Sequence, residues 1–170
     1  MYREHKLKKE EKIFITACAN NNILVAKYLY NKYQINIHAG NEYAFQWSCE
    51  NGHLKVAKWL CKMGIELNSP IDIHANNEYV FQISCDDGHL AITKWLYNMG
   101  IELNSSIDIH ANNEFAFQMS CENGHLVTSE WLYKTAMELN SPIDIHAYNE
   151  KAFRLSCCSG HLEVAKWLQK

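Results

Sequence analysis

The chain has 170 residues, 48% of them hydrophobic and 21% charged, with a formal net charge of -3 at pH 7. That balance suits a soluble fold and argues against wholesale nucleic-acid binding. The charged run from Met1 to Lys12 leads into no long apolar stretch, so neither a secretory leader nor a membrane span is expected, and the setting should be intracellular.

Taken in order, residues 1–35 read as a degenerate first copy of a unit that the rest of the chain repeats. KIFITACANNNILVAKYLYNKY aligns with YAFQWSCENGHLKVAKWLCKMG, and Asn21 stands where later copies have glycine. Asn tolerates the left-handed backbone best after Gly, so a turn between two helices is expected there. From residue 36 onward the period is 36 residues, marked by His38, His74, His110 and His146, by Gly52, Gly88, Gly124 and Gly160, and by Trp59, Trp95, Trp131 and Trp167. The expected boundaries within a single 1–170 domain are 1–35, then full units 36–71, 72–107 and 108–143, then a truncated unit 144–170. A period in this range signals stacked units, none of which buries its apolar face alone.

Each unit predicts two helices. Asn41, Asn77, Asn113 and Asn149 are expected to cap the first, with the following Glu favouring its positive end. Gly-His breaks it and starts the second, whose apolar positions (Leu54, Ala57, Leu60 and Met63, widened by Val56 and Trp59) form a broad buried stripe. Gly64 and Gly100 are expected to supply left-handed C-caps, and Ala136 in their place predicts a looser or differently capped helix end. The segment IELNSPIDIHANN is too punctuated for a helix and reads as an extended finger.

Candidate chemistry resolves into structure. Cys49, Cys85, Cys121 and Cys157 share one small-residue position, so they read as buried thiols rather than disulfide or zinc partners. Equivalent histidines on stacked units lie about 10 Å apart by helix packing, too far to converge on one ion, so both histidine sets should hydrogen-bond backbone in neighbouring loops. No phosphate loop or nucleophile elbow is present. No cofactor, metal or catalytic residue is expected, and the chain is not read as an enzyme.

These residues resemble the ankyrin repeat. Its finger, first helix, Gly-His turn and second helix are matched by Asp72-Ile73-His74-Ala75, Phe81-Gln82-Ile83-Ser84-Cys85, Gly88-His89 and Trp95-Leu96. The Thr-Pro start is missing, Gln46, Gln82, Gln118 and Arg154 replace the usual first-helix His, and the repeat is longer. The phrase DIHANNEYAF followed by SCENGHLEVAKWLY-like helices is similar to repeats of amoeba-infecting giant DNA viruses. The resemblance implies an all-α, ankyrin-type helix-turn-helix solenoid of about five stacked repeats with extended finger loops. It also implies a protein-binding module working through finger tips and the first-helix face, with the viral likeness implying a host-directed adaptor.

Charge placement refines this expectation. Lys55, Lys58, Lys62, Lys94, Lys134 and Lys166 fall on second helices, whereas Glu50, Asp86, Asp87 and Glu122 approach the C-terminal ends of first helices, where the helix dipole does not favour them. Together with Asn41, Tyr43, Trp47, Asn51, Asn76, Asn77, Tyr79, Asn112, Asn113 and Asn123, they outline an expected acidic face for a basic or polar protein partner. Trp47 could belong to the core or to that face. The alternative is an architectural or self-associating module, a monomer or weak homodimer, because Trp167 and Leu168 would lack a capping repeat.

Overall fold

The computed structural model describes residues 7–169, so the start of the charged N-terminal run and of the first unit lies outside the described residues. Among those described, regular structure is entirely helical: α1 (Lys9–Ala19), α2 (Ile23–Tyr33), α3 (Ala39–Glu50), α4 (Leu54–Glu66), α5 (Ala75–Asp86), α6 (Leu90–Glu102), α7 (Ala111–Glu122), α8 (Leu126–Glu138), α9 (Ala147–Cys158) and α10 (Leu162–Leu168). No described helix is long and apolar enough to cross a membrane.

The chain forms two compact units, residues 1–72 and 73–170. In the first, α1 packs on α2 and α3, and α3 on α4; in the second, α5 packs on α7, α7 on α9, and each of these on its following helix. Phe45, Phe81 and Phe117 are fully buried, as are Cys49, Cys85 and Cys121. Second helices bury a 3.6-residue stripe, in α4 Val56, Ala57, Leu60, Cys61 and Gly64; Leu54, Trp59 and Met63 are half-buried, so the three-residue spacing read from sequence is corrected. Tryptophans pack on tyrosines of the preceding pair: Trp131 on Tyr97 at 5.5 Å and Trp167 on Tyr133 at 5.8 Å, both edge-on.

The turn histidines reach the neighbouring copy, and for His53 the expected hydrogen bond to backbone is present. His53 Nε2 lies 2.9 Å from the carbonyl oxygen of Ala19. In residues 73–170, His125 covers Gly88 and His161 covers Gly124, so closely that a Cβ on either glycine would collide with the ring. Asn21 adopts φ +59°, the left-handed conformation its position required.

Several expectations are overturned. Gly64 and Gly100 are buried inside helices, where a Cβ would press on the carbonyls of Ser69 and Ser105. The left-handed residues are Asn68, Asn104 and Asn140. Ala136 is fully buried and α8 has the same length and ending as α6, so the predicted looseness is absent. Trp167 packs on Phe117 and Tyr133, and Leu168 is buried, so neither is the uncovered surface read from sequence. Cys157 is exposed, unlike its equivalents.

The largest correction concerns the start of each first helix. Asn41, Asn77, Asn113 and Asn149 make no capping hydrogen bond; each is the middle of three consecutive left-handed residues, 40–42, 76–78, 112–114 and 148–150. A left-handed residue costs roughly 1–2 kcal/mol outside glycine, so four such turns need compensation. The finger histidines supply part of it, pairing with the Glu four residues on rather than with neighbouring backbone: His38 Nδ1 to Glu42 Oε1 at 2.7 Å, His74 to Glu78 at 2.9 Å, His110 to Glu114 at 2.8 Å, and His146 to Glu150 at 2.9 Å. Because the carboxylate accepts, Nδ1 carries the proton. Buried glutamines add a second tie at three of the turns: Gln46, Gln82 and Gln118 Nε2 donate to the carbonyls of Asn41, Asn77 and Asn113 at 2.8, 2.8 and 2.9 Å. Arg154, at the equivalent position of the last copy, is exposed.

Candidate protein-binding face

Each left-handed turn sets the direction in which its first helix leaves the finger, and hence which side chains face solvent. Three positions spaced i, i+4 and i+7 share one helical face. In α3 they are Tyr43, Trp47 and Glu50; in α5, Tyr79, Ile83 and Asp86; in α7, Phe115, Met119 and Glu122. Tyr43, Tyr79 and Phe115 are 39%, 38% and 37% exposed, which places these aromatics outside the core. Ile83, Met119 and the three acids are half-buried, and Trp47 is exposed. In α9 the series breaks to Lys151, Leu155 and Cys158.

Within residues 1–72, Tyr43 and Trp47 stack with centroids 5.6 Å apart and planes 9° from parallel. Asn51 folds back on its own helix, its Nδ2 donating to the Trp47 carbonyl at 2.8 Å. Asn41 is exposed.

Within residues 73–170 the predicted residues form two clusters. Asn77 Nδ2 donates to Asn112 Oδ1 at 2.6 Å, and Asn112 Nδ2 to Gln82 Oε1 at 3.0 Å, an amide ladder joining adjacent turns. Asn123 Nδ2 donates to the carboxylate and carbonyl of Asp86 at 2.7 and 3.1 Å. These three asparagines therefore serve inter-repeat contact first. Asn76, Asn113 and Asp87 are exposed. Burial raises the Asp86 carboxyl above its ordinary range, helped by Asp87 and Glu122 and opposed by His125 and Asn123. Like charge is thus crowded at this end of the face.

Phe115 was missed by sequence reasoning, although its 36-residue offset from Tyr79 could have found it. The buried polar pairs Ser84–Thr93 at 3.0 Å and Ser120–Ser129 at 2.8 Å join first to second helices and serve the core. No cluster of three or more His, Cys, Asp and Glu side chains arranged to hold a metal occurs among the described residues.

Residues 3–71 match the family model described as Ankyrin repeats (3 copies). The match spans α1 to α4. Ankyrin repeats are in general protein–protein interaction modules without catalytic activity. A comparison with curated proteins finds no match.

Proposed function

We propose that the whole chain is an ankyrin-type interaction module of five units, bounded at residues 35, 71, 107 and 143, that binds a protein partner through its first-helix and finger face. The observation that carries this reading is the recurrence of aromatic, large apolar and acidic side chains at one register of α3, α5 and α7. Scattered exposed apolar residues need no explanation, but an exposed aromatic at the same register of three helices does. The identities differ between copies (Tyr, Tyr, Phe; Trp, Ile, Met; Glu, Asp, Glu) while the chemistry stays. Aromatic side chains provide large rigid contact area, and the crowded carboxylates at Asp86 favour a partner bearing basic side chains. The likeness to repeats of amoeba-infecting giant DNA viruses makes a host-cell protein the natural partner class.

The test is capture from a eukaryotic lysate by the chain and by a variant carrying Glu50→Gln, Asp86→Asn, Asp87→Asn and Glu122→Gln. A protein retained by the first and lost by the second is expected. Equal retention by both would remove this face from the account.

A further inference from the structure

Two departures from the repeat fall in α3. Gly40 stands where the later copies have Asn76, Asn112 and Tyr148, and Trp47 where they have Ile83, Met119 and Leu155. The backbone alone does not require the glycine, because Asn76 adopts φ +56° at the equivalent position and Gly40 itself only +69°. The Tyr43 ring does require it: a Cβ at residue 40 would collide with that ring, which lies in parallel register with Trp47. Gly40 and Trp47 are therefore two halves of one feature. Glycine lets the tyrosine lie over the turn, and tryptophan gives it something to stack on.

The feature contributes little to the core, since both rings remain close to two-fifths exposed. Glu50 follows Trp47 by three residues on the same face, and the exposed Asn41 and Asn51 lie at either end. The next two copies keep the aromatic residue and the acid but lack the flat paired surface, and α9 keeps neither.

We propose that the Tyr43–Trp47 stack is a recognition shelf for an arginine side chain of the partner polypeptide. A guanidinium is planar, weakly hydrated and attracted to aromatic faces, and a carboxylate beside the shelf can accept its N–H groups. A lysine ammonium shares the charge but not the plane; a proline ring shares the plane but has no use for the acid. This inference rests on the partner-binding reading above and names the group that reading leaves open.

The experiment is selection of random linear peptides on the immobilised chain, followed by titration of the best binder. Arginine should be enriched, and Arg→Lys in the peptide should weaken binding about threefold to thirtyfold. On chains carrying Trp47→Ile or Gly40→Asn, each importing the residue of another copy so that the fold is kept, the peptide should bind more weakly and Arg→Lys should no longer matter. Circular dichroism melting confirms that each variant folds. Selection without arginine enrichment, or an Arg→Lys effect of equal size on the chain and on both variants, overturns the proposal. Binders sensitive to Asp86→Asn and Glu122→Gln but indifferent to Trp47→Ile would leave the binding face standing and remove the shelf alone.

Discussion

Gln118 Nε2 lies 2.9 Å from the carbonyl oxygen of Asn113, the middle of three left-handed residues, and so ties the first full turn of α7 to the irregular segment that launches it. Gln118 is 5% exposed, although its acceptor belongs to the exposed Asn113, so the bond is only partly shielded from water. Gln118→Ala should destabilise the fold by about 0.5–1.5 kcal/mol, the net value of a typical intramolecular hydrogen bond. Urea denaturation gives the value. A change within a few tenths would mean that the left-handed turn holds without its glutamine.

The correction at the second-helix ends makes a separate prediction. Asn104 adopts φ +52° just past α6, whereas Gly100 is helical. Asn104→Gly should be neutral or stabilising by up to about 1 kcal/mol and Asn104→Ala destabilising by about 1 kcal/mol. In thermal melts Asn104→Gly should match or exceed the parent and Asn104→Ala should fall below it.

Gly88 and Gly160 share a left-handed backbone but differ in surroundings: His125 covers Gly88, and nothing lies within 4 Å of a Cβ placed on Gly160. Gly160→Ala should cost only the backbone penalty, about 1–2 kcal/mol. Gly88→Ala should cost more, because the histidine must also move. Equal losses would remove the turn histidine from the packing between copies.

Two pH effects of the same sign follow from the carboxylates, each weakening the fold as pH rises. The hydrogen bond and charge of Glu150 raise the His146 pKa above its ordinary value, so its stabilisation is fully present below the unfolded-state pKa and is lost as pH rises through the folded one. Glu150→Gln should return the NMR titration of His146 towards the unperturbed value. Asp86 is raised mainly by burial, so its charged form opposes folding above the folded pKa and the penalty disappears as pH falls below the unfolded one. Asp86→Asn should therefore be neutral or stabilising at neutral pH and converge with the parent in acid.

Thiol reactivity separates the cysteines. Burial pushes Cys18, Cys61 and Cys85 up to about 12 and Cys121 to about 11, and holds Cys49 well above its ordinary value. Cys157 and Cys158 are exposed. Alkylation of the native protein followed by peptide mapping should mark those two, and the other five only after denaturation.

The sequence made the paired helices and the left-handed Asn21 legible, because each depends on residues with narrow backbone or periodicity preferences. It hid the left-handed triplets. An Asn followed by Glu before an apolar run is equally the pattern of a capped helix, and only the recurrence of His, Glu and Gln at spacings of four, as in His38, Glu42 and Gln46, separates the two. Gly64 misled for a related reason: a glycine near a helix end suggests a cap, whereas here it admits the close approach of Ser69, and Ala136 at the equivalent position was the available warning. On the candidate face, Tyr43 and Tyr79 were readable from helical spacing. The engagement of Asn77, Asn112 and Asn123 with neighbouring copies depends on side-chain directions that no spacing encodes.

The binding face itself is tested most directly by hydrogen exchange on the chain with and without the best peptide or captured protein. Slowed exchange is predicted over 43–51, 79–87 and 115–123, with α4, α6 and α8 unchanged. Slowed exchange confined to those second helices would contradict the account.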